Sequence, residues 1–525
     1  MGSVLAFRAR THKMAIRAAT IAAVILLSGV TISIFIKRDA TWIQKSPTLS
    51  RIASISFSDI TTQSRLLTWE SSLKGLRDRP LLGYGYANYN IAFNRYFNPL
   101  IYRDAGSQVW FDRAHNVIFD IALTSGVLGL IAYLVMFGMA LRASWQYARR
   151  KEQEQYMTGV LFASLLIAHL LQNFFVFDIL ATYIPLMLVF GFLDSAGNRS
   201  LFSAQSVPLS PSGIPKSGMI PAVAAFIICT VAWYQFNYLP ATVNRQGLEA
   251  MRLRMEGKSA EATDMFKEVL QRDTYQAGEI RLKLAEHALD MRAGIGSVTG
   301  EIAANTFNDA IDEVLKNIEA APKDAQLYLY LMNLYYAGSK YQSDRLNLIE
   351  RAGKEALALS PTRPQTYYLL GQGAAGRGEY GEAVEYFKTA VDLNPAVVES
   401  HWNLSVAYRL AGRKDDERKE YDILEGMGRG YAQRETLADI DLMRLIQGYT
   451  SLEEYVKLAG VYEVLVSRDP TNAEYLAKLA AAYKSAGDYP HARAIAEKLL
   501  ELKPDMKADV ESFLAEIEQE EKGSQ

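Results

Sequence analysis

Cysteine is almost absent from this 525-residue chain. Cys229 is the single one, and it lies inside an apolar run. A disulfide framework or a cysteine-based metal site within one chain is therefore excluded, and cysteine usage says nothing about redox compartment. Several motifs are also missing. There is no Gly-rich phosphate loop, no HExxH, and no Ser–His–Asp order that would mark a nucleophile. No metal site and no cofactor are expected. Net charge is nearly absent too, at −2, but that value hides an uneven distribution. Residues 239–525 hold 35 Lys+Arg against 47 Asp+Glu, whereas 37–114 hold 11 against 6. A basic stretch beside a membrane suits an anionic partner, although ordinary charge scatter on a solvated loop reads the same way. Nothing points to nucleic acid.

Long apolar runs are present in the first half. The basic segment Met1–Arg17 precedes Ala15–Ile36, which has about the 20 residues a bilayer requires. It ends in Lys37-Arg38 and lacks a clear small-residue cleavage site, so it reads as an uncleaved span. Four further spans are expected at Asn116–Leu141, Met157–Val176, Ile179–Leu193 and Gly218–Tyr238. A short basic loop, 142–156, and a Ser/Pro/Gly-rich connector, 195–217, separate them. Lys and Arg in short loops place the N-terminus and 142–156 in the cytoplasm. Alternation then puts 37–114 and everything after Tyr238 outside.

The tail repeats. Pro361 and Pro395 are 34 residues apart, and so are Pro470 and Pro504. Tyr367, Leu370, Gly371, Ala383, Phe387 and Ala390 fit the tetratricopeptide pattern, and Leu479, Tyr483 and Ala492 are in register. Weaker copies lie at 401–424 (Trp402, Leu404, Tyr408, Tyr421) and 246–274 (Ala262, Phe266). The expected fold is all-α, a polytopic membrane helical domain of about five spans followed by a tetratricopeptide α-solenoid. The domains are 1–36 (N-terminus and first transmembrane helix), 37–114 (outer loop), 115–238 (transmembrane helices two to five) and 239–525 (repeats).

Chemistry is expected near His115, where a polar segment enters the second span. Imidazole titrates near neutrality and works as a general base beside water, though histidine at a boundary is often merely interfacial. Asp120, one turn on, could orient the ring, and Asn116 could cap the helix. Arg65, Arg77, Arg79, Arg95, Arg103 and Arg113 form a group whose planar forks suit phosphate, with interfacial snorkelling as the alternative. Nine aromatics fall between Tyr84 and Phe111. They read as membrane-interface residues, with stacking on sugar faces as the alternative. His169 and Asn173 share one face of the third span and read as interhelical hydrogen-bond partners.

Arg65-Leu66-Leu67-Thr68-Trp69, Pro80-Leu81-Leu82-Gly83-Tyr84-Gly85 with Asn88-Tyr89, and Ala114-His115-Asn116 followed by Gly126 and Gly129 together resemble the O-antigen ligase/polymerase family. Gln172–Asp178 resembles the family's next segment, and the likeness covers roughly 40–220. It implies an inverting, metal-independent glycosyltransferase of the bacterial inner membrane, acting in surface polysaccharide (lipopolysaccharide) biosynthesis. The donor is a glycan on undecaprenyl pyrophosphate. The acceptor is a hydroxyl on lipid A core, another glycan or a protein. By position, His115 is the base and Arg65 holds the pyrophosphate. Arg77, Arg79, Arg113, Asn116 and Tyr84 bind substrate, while Gly126 and Gly129 place His115 and pack its helix. The family usually has ten or more spans, so an N-terminal half of the membrane domain is expected outside this sequence. The competing expectation is a non-catalytic, membrane-anchored tetratricopeptide scaffold for envelope proteins.

Overall fold

The computed structural model describes residues 22, 25–26, 28–53, 59–102, 109–150, 152–197, 216–272, 274–292 and 300–523. The basic N-terminus, part of the first expected span, Arg103, Lys151 and most of the 195–217 connector lie outside them. Every regular element among the described residues is helical.

The chain divides into two units, 1–67 and 68–525. In the first, residues 28–36 are helical and the short helices Thr41–Gln44 and Pro47–Ala53 follow. Ile34, Ile43 and Ala53 make a small core with Leu49. Asp59 accepts hydrogen bonds from the Thr61 and Thr62 amides at 3.1 and 3.2 Å. It thereby satisfies the free N–H groups at the start of α1, Ile60–Asp78. The expected helix over Leu66–Leu76 is thus present and longer. Arg65 is half-buried on it.

In the second unit, Arg79–Asn88 is the irregular loop that the Pro and Gly residues demand. Helix α2, Tyr89–Arg95, lies against α1. The Tyr89 hydroxyl meets Ser72 Oγ at 2.6 Å, and Ser71 donates to the Tyr96 carbonyl at 2.8 Å. Tyr89, Phe93, Phe97 and Phe111 are almost fully buried; Phe93 stacks on Tyr89 and meets Phe97 and Phe111 edge-on. The membrane-interface reading of these aromatics is overturned. They form the core of a small loop subdomain, because a short helix and a loop need large rings to close an interior.

The apolar helices follow. Helix α3 is Val117–Ala148, α4 is Gln153–Asn173, α5 is Leu180–Gly197 and α6 is Lys216–Trp233. Among the described residues, three helical stretches are long and apolar enough to cross a membrane: Val117–Ala148, Gln153–Asn173 and Ile220–Met255. Leu180–Ala196 is a shorter apolar helix. Two expected borders move. Helix α3 runs past Leu141, so the basic loop shrinks to the residues between Ala148 and Gln153, with Arg142 inside the helix. Arg150 lies over the Tyr147 ring and donates to the Ala196 carbonyl at 2.8 Å, using the free carbonyl of a helix end. The helix that carries the last span does not stop at Tyr238 either. A π-helical turn, Tyr234–Tyr238, carries it directly into α7, Leu239–Met255, the first helix of the tail.

Antiparallel helix pairs stack from there to the C-terminus. They include α8 (Ser259–Leu270), α9 (Ala277–Arg292), α10 (Gly300–Ala320), α11 (Ala325–Gly338), α12 (Arg345–Leu359), α13 (Pro364–Gly376), α14 (Tyr380–Leu393), α15 (Val398–Leu410) and α16 (Lys414–Gly426). The pattern residues are core. Ala262, Phe266, Ala383 and Ala390 are fully buried. A Cβ on Gly371 would sit 2.6 Å from the Phe387 ring, which explains why that repeat position has no side chain.

One buried pair makes the repeats sensitive to pH. His401 Nδ1 lies 2.7 Å from Glu420 and its Nε2 lies 2.9 Å from the Pro395 carbonyl. Both neighbours are acceptors, so the ring satisfies both only as imidazolium. Burial pushes the ring's pKa down, but the Glu420 and Pro395 hydrogen bonds outweigh it and the net shift is up. The stabilisation is therefore complete below the unfolded value of about 6.5 and is lost as pH rises through the higher folded value. Thermal unfolding of the full chain between pH 6 and 9 should show a loss of stability that His401→Gln flattens. An unchanged pH profile in the variant would refute the assignment.

Candidate functional site

His115 sits where two backbone segments lock together. Helix α3 is broken at Gly126, with φ 69° and ψ −174°, a conformation essentially reserved for glycine. The break frees carbonyls and amides that the loop 80–85 takes up. Tyr84 N–H donates to the Leu123 carbonyl at 2.9 Å and Gly85 N–H to Thr124 at 2.8 Å. In return Val127 N–H donates to the Pro80 carbonyl at 2.8 Å. The approach leaves no room for side chains. A Cβ on Gly83 would lie 2.4 Å from the Leu123 carbonyl oxygen, and one on Gly126 2.2 Å from that of Leu81. The PLLGYG and Gly126 motifs are therefore two halves of one joint.

The joint positions the residues before α3. Trp69 stacks on Phe119 at 5.1 Å and its Nε1–H donates to the Ala114 carbonyl at 2.8 Å. Asn116 caps α3, its Oδ1 accepting from the Ile118 and Phe119 amides at 2.9 and 3.4 Å. Held from both sides, His115 adopts φ +50°, a left-handed conformation that costs a non-glycine residue free energy and persists only where its surroundings impose it. The half-buried ring packs on Phe111 at 5.8 Å and Phe177 at 5.3 Å.

Arg113 joins it. Its Nη1 donates to Asp120 Oδ2 at 3.1 Å, and its Nη2 approaches the Tyr86 hydroxyl at 3.4 Å. The guanidinium also lies over the Tyr86 and Phe177 rings. Asp120, at the start of α3, thus has Arg113 as an ion-pair partner. Two buried polar atoms here have no hydrogen-bond partner, Asn116 Nδ2 and Asp120 Oδ1. One is a donor and the other an acceptor, and such groups normally find partners.

The expected substrate-binding residues fall in two places. Arg113 and Asn116 stand beside His115. Arg79 and Tyr84 line a separate cleft, with the guanidinium 4.9 Å from the Tyr84 ring centre. Arg77 is exposed on the last turn of α1. Gly129 follows the break, where its missing Cβ would meet Ser125 at 2.3 Å. In the third span His169 and Asn173 share a face, 3.0 Å apart, and His169 also lies 3.2 Å from Asp178 in the next turn and stacks on Phe137 of α3.

Sequence reading noted Tyr86 as a loop aromatic and Phe177 in the Gln172–Asp178 segment without placing either beside His115, and it passed over Arg363. Arg363 lies in the turn between α12 and α13 and is completely buried. Its guanidinium is sandwiched between Phe97 and Trp110, 3.8 Å from each ring centre. It donates to Asn94 Oδ1 at 2.7 Å and approaches the Tyr102 hydroxyl and Val109 carbonyl at 3.3 Å. Ser360 donates to the Asn94 carbonyl at 2.7 Å, and Thr362 to the Phe97 carbonyl at 2.5 Å. The loop's aromatics and the repeat tail are thus one packed body. No repeat pattern marks Arg363, because the pattern encodes helix packing within the solenoid.

Comparison with known proteins agrees with both parts. Residues 1–134 match the model of the O-antigen ligase family, and 368–432 and 473–506 match tetratricopeptide repeat models. An uncharacterised protein of Methanocaldococcus jannaschii is 32% identical over 57 residues, which are 11% of this chain and 66% of that protein, just under two thirds of its length. Similar solved structures include YrrB, a TPR protein with an unusual peptide-binding site (17% identity, 38% of this chain, 96% of that one, TM-score 0.28). A tetratricopeptide repeat protein from Parabacteroides merdae is another (11% identity, 53% and 99%, TM-score 0.34).

Proposed function

We propose, for a chain that begins with an O-antigen ligase family segment and ends in tetratricopeptide repeats, that it is a membrane glycosyltransferase. It moves a glycan from undecaprenyl pyrophosphate to an acceptor hydroxyl, with inversion and without a metal. The observation that supports this reading best is the strained, half-buried His115 at the start of α3, on the segment that also carries Arg113 and two buried, unpartnered polar atoms. His115 takes the proton of the acceptor hydroxyl as its oxygen attacks the sugar's anomeric carbon. The bond to pyrophosphate breaks, and cationic guanidinium groups stabilise the departing charge. Asn116 Nδ2 and Asp120 Oδ1 offer a donor and an acceptor to the incoming sugar. Arg65 is assigned to the pyrophosphate by its position in the family motif.

In this proposal residues 1–36 and 115–238 lie in the inner membrane, and 37–114 and 239–525 lie outside it. The packing of Arg363 on Phe97 and Trp110 supports placing those two parts on one side. His115→Asn tests the chemistry, because asparagine tolerates a positive φ and cannot act as the base. Glycan transfer in cells should fall by about 10²-fold or more at unchanged protein level. Undiminished transfer would refute the base and favour the scaffold reading.

A further inference from the structure

We infer that the repeat tail forms one wall of a binding cleft for an acidic oligosaccharide, the outer loop forming the other wall. The inference rests on the glycan-transfer reading above and names a part of its substrate site. The cleft holds about 1020 Å³. Arg79, Tyr84, Asn90 and Arg95 line one side, and the Pro322–Asp324 turn before α11 lines the other.

Its chemistry is that of a sugar acid rather than an apolar ligand. Among apolar residues such as Ile91, Pro322 and Leu359 it presents the cations Arg79, Arg95 and Lys323, the Asn88 and Asn90 amides and the Tyr84 ring. Its two carboxylates are already engaged. Asp78 lies 3.6 Å from Arg95 and accepts from the Tyr84 hydroxyl at 3.1 Å and the Tyr96 hydroxyl at 2.5 Å. Asp324 caps α11 through the Gln326 amide at 3.0 Å, and burial pushes its carboxyl upward. Arg79 and Lys323, one from each wall, then set the sign of the cleft. Tyr84 stays a neutral phenol, pushed up to about 12 by burial and Asp78.

The cleft is also preformed. Ser360, Thr362 and Arg363, which fasten the tail to the loop, directly follow Leu359 in its lining. A site fixed in this way loses little free energy to ordering when it binds. The loop also continues to the proposed base. Tyr84 lines the cleft, and Tyr86, two residues on, contacts Arg113 beside His115. A strand lying along this loop is led toward His115.

The test is binding of a hyaluronan hexasaccharide to the full chain in detergent micelles, measured by calorimetry beside neutral maltohexaose. The acidic probe should bind and the neutral one should bind at least tenfold more weakly. Affinity should fall as salt is raised. Lys323→Glu, an exposed change on the tail, should weaken binding tenfold or more with the melting temperature unchanged. His115→Asn should bind like the wild type. Absence of binding, equal binding of maltohexaose, or indifference to Lys323→Glu would overturn the inference. Lost transfer in His115→Asn alongside indifference to Lys323→Glu would sink the cleft and leave the transfer reading standing. The reverse pattern would sink the transfer reading alone.

Discussion

Gly126→Val should abolish glycan transfer and destabilise the membrane domain by several kcal/mol. Two independent costs add. The φ/ψ pair at Gly126 is closed to a β-branched residue, a penalty of about 1–3 kcal/mol. The new Cβ would stand 2.2 Å from the Leu81 carbonyl oxygen, and overpacking of that kind costs about 1–3 kcal/mol more. Relief requires the 80–85 loop to withdraw, which strands the Leu123, Thr124 and Val127 backbone groups and releases Tyr86 from Arg113. Gly138→Ala is the comparison. Nothing lies within 4 Å of its Cβ position, so alanine should be neutral or stabilising by up to about 1 kcal/mol. Thermal unfolding in detergent and transfer assays on both variants decide the matter. Wild-type behaviour of Gly126→Val would mean that the joint between loop and helix is not formed.

Arg363→Met should detach the outer loop from the repeat tail at a cost of about 2–6 kcal/mol, from about 1–3 kcal/mol for each of two buried acceptors left without a donor. The substitution leaves Asn94 Oδ1 and the Val109 carbonyl without their donor and forfeits two desolvated cation–π contacts. Arg363→Lys should do nearly as badly, because an ammonium cannot lie flat between two rings while reaching three acceptors. The readout is limited proteolysis. Cleavage within 96–111 should accelerate at least tenfold in both variants, while the melting of the more distant repeats stays at its wild-type value. Wild-type protection would show that the loop is held by something other than Arg363.

Much of the architecture was legible in the residue order because it depends on local periodicity. Apolar runs of membrane length and the 34-residue repeat each report one element and its nearest neighbour. His115, Asn116 and Gly126 were legible as a spaced motif, and Asn116 as a cap follows from chemistry within three residues. The borders were less so. Ala143, Ser144 and Trp145 prolong α3 past the last apolar residue, and the junction at Tyr238 continues as helix because nothing there breaks it. The loop aromatics were misread for a different reason. A ring's preference for interfaces is shared with its preference for cores, and only knowledge of what surrounds Phe93 or Phe111 separates the two.

By itself the sequence determined the all-helical class, the alternation of apolar spans with a solenoid, and the one histidine worth testing. Each follows from interactions within a few residues of chain. The tertiary structure alone decided that Gly83 and Gly126 face each other, that Arg113 and Phe177 flank His115, and that Arg363 fastens the tail to the loop. Gly83 and Gly126 are 43 positions apart, and Arg363 and Asn94 are 269. These pairings arise from backbone groups and charges that must find partners once water is excluded, and no local pattern encodes which partner is met.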